Sequence, residues 1–226
     1  LPALDAVLNR AFGAFLFDMD GTVLNSIAAA ERIWSAWAVH HGVDVDSFLP
    51  TIHGVRAIDT IRRLNLPGVD AQAQAAYITV AEIEDVEGVV EIPGAAAFLK
   101  ALPADRWAMV TSAPRDLALR RMAAAGIPEP AVMITAEDVT TGKPDPAGYR
   151  LAAERLGVEP GDCLVFEDAT AGILAAEAAG APLMVITATH QYPLETPHAT
   201  IDRYDGLEIR AGSDGRLSLS ATRRDD

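Results

Sequence analysis

Four short clusters hold residue types that could do chemistry, each just after a strand-like apolar run or at the start of a helical pattern. The first is Asp18-Met19-Asp20-Gly21-Thr22. Two carboxylates one residue apart can divide the work, one attacking an electrophile while the other moves protons. Gly21 gives the backbone freedom to turn directly after the pair. The second is Thr111-Ser112, whose hydroxyls, with the free N–H groups of a following helix start, could hold phosphate oxygens. A plain helix cap with Pro114 in the first turn is the alternative there. The third is Gly142-Lys143-Pro144-Asp145-Pro146. The chain has two lysines, Lys100 and Lys143, and Lys143 stands at a helix start, where a cation gains nothing from the helix dipole. Neutralising an anion would account for that placement; a solvated surface lysine is the alternative. The fourth is Glu167-Asp168, a carboxylate pair suited to a hard divalent cation such as Mg2+, against the simpler reading of helix capping by Asp168. Acid pair, hydroxyl, lysine and acid pair, in that order, outline a phosphoryl-transfer site.

The elements between them must bring the clusters together. Ala14 to Phe17, Trp107 to Val110, Val132 to Ile134, Leu164 to Phe166 and Leu183 to Ile186 read as short buried strands. Helical patterns run from Arg115 to Ala125, Ala147 to Leu156 and Thr170 to Ala179, stopped by Gly126, Gly157 and Gly180. Short apolar strands alternating with helices imply an α/β fold, a Rossmann-like parallel sheet with right-handed crossovers and both faces covered. In such a sheet all four clusters gather at the carboxyl edge, where ligands bind.

Between the first strand and Pro93 the pattern changes. Ile27, Ala30, Trp34 and Trp37 recur at spacings of three and four behind Ser26, a candidate N-cap. Ile58, Ile61 and Leu64 repeat that spacing, as do Ala76, Val80 and Ile83 beside acidic Glu82, Glu84, Asp85 and Glu87, which read as a wet helix face. No strand signal appears here. The expected division is a core of residues 1–24 and 93–226 carrying a small inserted α-helical cap of residues 25–92. Leu207 to Arg210 and Leu217 to Ser220, around Asp214-Gly215, predict a terminal hairpin.

Composition narrows the function classes. Half of the 226 residues are hydrophobic and 22% charged, enough to bury a full core. Eighteen basic against thirty-two acidic side chains give a net charge of −14, which argues against nucleic-acid binding. A small anionic substrate needs only one local positive site. The single Cys163 excludes an intramolecular disulfide or a cysteine-based zinc site and reads as an apolar filler. No run approaches the roughly 18 apolar residues of a membrane span, and the first apolar stretch ends in Asp18 and Asp20, not in a signal-peptide cleavage site. A cytoplasmic monomer without nucleic-acid or membrane partners is expected.

The order of the four clusters resembles the signatures of the haloacid dehalogenase-like superfamily, and the likeness extends over essentially the whole chain. Ile52 to Arg56, Trp107 to Ser112, Ile134 to Val139 and the terminal hairpin look most like its sugar-phosphate phosphatases, a group that includes hexitol, 2-deoxyglucose-6-phosphate and glycerol-phosphate phosphatases. The resemblance implies a small-molecule phosphate ester as substrate, Asp18 as nucleophile forming an aspartyl-phosphate, and Asp20 as acid and then base. It implies Mg2+ held by Asp18, the Asp20 carbonyl, Asp168 and Glu167, although Mn2+ would satisfy the same oxygens, with Thr111, Ser112 and Lys143 clamping the phosphate. His53 and Arg56 are candidates to reach the substrate from the cap, and Arg115 is a weaker one. Trp34 and Trp37 read as the cap's own core, and His190 and His198 as solvated. Asn25 departs from the family's usual Asp at the hinge into the cap.

Rival chemistries on this scaffold differ at single residues. A dehalogenase would have no use for Asp20, and a phosphonoacetaldehyde hydrolase would need a cap lysine, of which there is none between Asn25 and Ile92. A β-phosphoglucomutase shares all four signatures but usually continues Gly-Val where this chain has Gly21-Thr22. A non-catalytic phosphometabolite-binding protein is expected to have lost one of Asp18, Asp20, Lys143 and Asp168, and all are present.

Overall fold

Alternate residues of the first apolar run face opposite ways, as the period of a strand requires. Phe15 and Phe17 pack into one hydrophobic cluster, Ala14 and Leu16 into another. That run is the centre of a sheet buried on both faces. The computed structural model describes residues 2–192 and 194–221. Its strands in chain order are β1 (Ala11–Phe12), β2 (Ala14–Phe17), β3 (Leu24–Asn25), β4 (Val90–Glu91), β5 (Trp107–Val110), β6 (Val132–Ile134), β7 (Cys163–Glu167), β8 (Leu183–Ile186), β9 (Ala199–Ile201), β10 (Leu207–Ala211) and β11 (Leu217–Ala221). Its α-helices are α1 (Pro2–Leu8), α2 (Ile27–His40), α3 (Val45–Phe48), α4 (Ala57–Leu64), α5 (Ala71–Glu84), α6 (Ala95–Lys100), α7 (Arg115–Ala125), α8 (Ala147–Arg155) and α9 (Thr170–Ala179).

The main sheet has the order β6-β5-β2-β7-β8-β9, all parallel. On one face Phe17 stacks on Phe166 at 4.5 Å between ring centroids, with Phe98, Trp107 and Tyr204 around them. On the other, Tyr149, Ala152 and Ala153 of α8 and Ala175 and Ala176 of α9 lie against Leu16, Val110 and Val165. The small alanines let these helices approach the sheet closely. α7 and α9 end at Gly126 and Gly180, both left-handed, as the sequence predicts; α8 ends one residue early, with Leu156 at its C-cap.

Helices α2 to α5 enclose a third cluster of their own, in which Trp34, Trp37 and Phe48 meet edge-on or tilted with Ile61 and Ile78. The tryptophans are thus core residues of the insertion, as expected. The expectation of no strand in this region needs correcting, because β3 and β4 pair antiparallel, Leu24 with Glu91 and Asn25 with Val90. Two-residue strands have no periodicity to read; they form where the entering and leaving chains must lie side by side. Ser26 does occupy the N-cap position of α2, but its hydroxyl makes no cap bond. Asn25 Oδ1 instead accepts the Ile27 N–H at 3.1 Å. The terminal hairpin forms, turning at left-handed Gly215, and β1 joins it as a third antiparallel strand, β1-β11-β10. No described helix is long and apolar enough to cross a membrane.

Candidate active site

β5, β2 and β7 are neighbours, so their carboxyl ends deliver Thr111, Asp18 and Glu167-Asp168 side by side. Lys143 arrives from the loop between β6 and α8. Its ammonium, 7% exposed as a residue, donates to Asp18 Oδ1 at 2.5 Å, Glu167 Oε1 at 2.7 Å and the Val110 carbonyl at 3.1 Å. Burial pulls this lysine's pKa down, but Asp18 and Glu167 outweigh that and hold it above the ordinary lysine value. The surface-lysine alternative is excluded: a charge this deep persists only with partners.

Glu167 has no exposure at all. Oε1 also accepts the Tyr149 hydroxyl at 3.0 Å, and Oε2 accepts the N–H groups of Asp168 at 2.8 Å and Ala169 at 2.9 Å. Its oxygens therefore serve four protein donors, orienting Lys143 and the turn that carries Asp168. A Cβ on Gly172 would overlap the Glu167 carboxylate, so glycine at that position gives the carboxylate its room in the first turn of α9. Asp168 does not cap α9; the N-cap position is Ala169. Its Oδ1 accepts the Thr22 hydroxyl at 3.2 Å, and the backbone at Gly21, with φ of 86°, leaves room for its carboxylate that any Cβ would fill.

Oxygens of Asp18, Glu167 and Asp168 all lie within 4.8 Å of one another. Burial, against the pull of Lys143 and with Glu167 adding to it, raises Asp18 from 3.8 to about 7. Burial with Glu167 and Asp18 likewise raises Asp168 well above its ordinary value. Carboxylates that repel each other in a desolvated niche are a donor set that fits a hard divalent cation.

Asp20 lies beyond Asp18 in the same turn. Its Oδ1 accepts the Ser26 hydroxyl at 2.6 Å and Arg121 Nη1 at 3.0 Å. Arg121 of α7 is 5% exposed, and its Nη2 lies 3.1 Å from Oε1 of Glu82, itself 7% exposed. Glu82 is therefore no part of a wet helix face, unlike exposed Glu84 and Glu87. Neither Arg121 nor Glu82 was legible as a site residue. The available signal was a charge on an apolar stripe, Glu82 four residues after Ile78 and Arg121 four after Leu117.

The remaining candidates divide. Thr111 is buried at the cleft, where its hydroxyl accepts the Ala113 N–H at 3.1 Å; Ser112 donates to the Gly54 carbonyl at 2.9 Å. Neither is the cap of α7, which is Pro114. His53 lines the cleft with Asp18, Asp20 and Trp34, its Nε2 3.7 Å from Glu31, and burial lowers its pKa. Arg56 does not line that cleft. Its guanidinium donates to Asp59 at 2.6 Å and to the carbonyls of Val139 and Thr140 at 3.1 and 3.0 Å, tying the insertion to the loop before Lys143. Arg115 donates to the Met133 carbonyl at 3.2 Å. His190 is half-buried, with Nε2 2.9 Å from the Asp168 carbonyl, and His198 is 2.8 Å from Glu177, so neither is simply solvated. Cys163 is a buried filler, its thiol pushed up to about 12 by burial and Asp162.

The family model described as "haloacid dehalogenase-like hydrolase" matches residues 12–180, a span that holds every one of these groups except His190 and His198. The chain belongs to the haloacid dehalogenase-like hydrolases. Hexitol phosphatase A of Escherichia coli (strain K12) is 41% identical to this hydrolase over 187 residues, 81% of this chain and 85% of the relative. 2-Deoxyglucose-6-phosphate phosphatase 1 of Saccharomyces cerevisiae is 34% identical over 196 residues, covering 77% and 80%. A solved hydrolase from Pseudomonas syringae has the same fold, with a TM-score of 0.71 at 23% identity over 84% of this chain and 94% of that one.

Proposed function

We propose that this hydrolase is a phosphatase that cleaves small sugar or polyol monophosphates in two steps through a phosphoryl group carried on Asp18, with residues 25–92 acting as the cap that selects the alcohol. The observation that carries the reading is the buried Lys143 bridging Asp18 and Glu167 inside a cluster of carboxylates at one sheet edge. The relatives named above as phosphatases of hexitols and of 2-deoxyglucose-6-phosphate support the substrate class.

Lys143 holds Oδ1 of Asp18, which leaves Oδ2 to attack phosphorus. The bond to the leaving oxygen breaks as Asp20 gives that oxygen its proton, and the alcohol departs. Asp20, now ionised, takes a proton from water, whose oxygen attacks the phosphoryl group; the bond to Asp18 breaks and inorganic phosphate leaves. Lys143 and Thr111 neutralise and orient the phosphoryl oxygens throughout. Asp18, Asp168 and the Asp20 carbonyl would hold Mg2+, with Glu167 completing the charge around it. The ion, when bound, screens the repulsion between an anionic nucleophile and an anionic phosphate.

The test is Mg2+-dependent phosphate release from a panel of hexitol, hexose, deoxysugar and glycerol phosphates, with β-glucose 1-phosphate followed separately for conversion to glucose 6-phosphate. Steady release from a subset of the esters is expected. Isomer conversion with little free phosphate would make it a mutase, and no turnover of any ester would overturn the phosphatase reading.

A further inference from the structure

Arg121 is an expensive residue to bury, because an uncompensated guanidinium in the interior costs several kcal/mol. It is compensated twice. One end meets Asp20 on the turn after β2; the other meets Glu82 on α5 of the insertion. α5 and α7 are packed together, and Arg120 Nε adds a bond to the Ile83 carbonyl at 3.3 Å. The guanidinium therefore spans the junction between the helical insertion and the sheet-covering layer at the point nearest Asp20. Ser26 and Arg121 both donate to Oδ1 of Asp20, and no hydrogen bond among the described residues goes to its Oδ2. Two donors on one oxygen fix the rotation of a carboxylate and leave the other oxygen free to carry a proton. Arg121 Nη2, by contrast, is buried beside Glu82 without a well-aligned hydrogen bond, so its tie there rests on charge more than on direction.

We infer that Arg121 is a positioning residue for Asp20, and that Glu82 completes it from the insertion, so that the proton-moving carboxylate is fully aligned only when the insertion is seated on the core. The inference rests on the proposed role of Asp20. The simpler alternative is an ion-pair triad that only holds α5 against α7.

The two differ in their dependence on the leaving group. A nitrophenolate departs without help from an acid, whereas the alkoxide of a polyol phosphate needs its proton delivered. Wild type, Asp20→Asn, Glu82→Gln, Arg121→Lys and the double variant Arg121→Met/Glu82→Gln would be compared on p-nitrophenyl phosphate and on a hexitol phosphate. The double variant removes both buried charges together, so neither is left unpaired, and circular dichroism verifies that it folds. Asp20→Asn sets the reference pattern: single-turnover release of nitrophenolate persists while hexitol phosphate cleavage falls by about 10²–10⁴-fold. The double variant is expected to show the same pattern in weaker form. Its hexitol phosphate kcat should fall by at least about tenfold, with KM and the nitrophenolate burst nearly unchanged, and Arg121→Lys and Glu82→Gln should fall between it and wild type. Equal losses on both substrates, a change in KM alone, or no loss would overturn the inference while leaving Asp20 in place. If Asp20→Asn itself does not discriminate between the substrates, the assignment of Asp20 fails first and the inference falls with it.

Discussion

At the scale of single residues, Lys143 makes the sharpest demand, since its ammonium pairs with both the Asp18 and the Glu167 carboxylates. Lys143→Met should lower kcat by about 10²–10³-fold, the usual cost of one lost charge stabiliser, with the far-ultraviolet dichroism of the folded chain retained. A variant within a few-fold of wild type would remove Lys143 from the site. Asp18, Asp20, Glu167 and Asp168 were legible as candidates because each stands at or just after a strand end whose apolar run could be read, and Lys143 because it is one of two lysines and stands at a helix start. Arg121, Glu82 and the true partners of Arg56 were not. Which carbonyl or carboxylate a long side chain reaches depends on how α5, α7 and the loop 139–142 pack, and no local pattern encodes that.

Among the elements, strand and helix ends were legible to within a residue where a glycine stop or a full apolar run marked them; α7 and α9 match residue for residue, and α8 ends one residue early. β3, β4 and β1 were not, since each is two residues long and owes its existence to a distant partner. The start of α9 carries its own prediction. Gly172→Ala would drive a Cβ into Glu167, and should destabilise the fold by about 1–3 kcal/mol in urea titration, the cost of an overpacked core. Gly206→Ala, where nothing lies within 4 Å and φ is not left-handed, should be neutral within about 0.5 kcal/mol. Equal effects would mean that the Gly172 contact has no force. The insertion is tied to the core by Arg56 and by Ser112 with Gly54. Arg56→Met should speed hydrogen exchange across residues 139–142, and unchanged protection there would show that the tie holds nothing.

For the whole molecule, the carboxylate cluster sets how stability follows pH. Asp18 is raised from 3.8 to about 7, so the folded state binds an extra proton there between those limits, and Asp168 is raised in the same direction. The Asp18 contribution is fully present below about pH 4 and is lost as pH rises through about 7, and that of Asp168 is likewise lost as pH rises. A divalent cation needs the ionised carboxylates and so competes with those protons. The gain in Tm from Mg2+ over chelator should therefore grow from pH 5 to pH 8, by mass action on the folded state. A gain independent of pH would detach the metal from Asp18 and Asp168.

The central claim is that phosphorus passes through Asp18. Wild-type protein mixed with a hexitol phosphate that it turns over, quenched in acid within one turnover and digested, should yield a phosphoryl adduct on the peptide carrying Asp18. Asp18→Asn should give neither adduct nor turnover. Turnover without any adduct, or an adduct on a different peptide, would contradict the account.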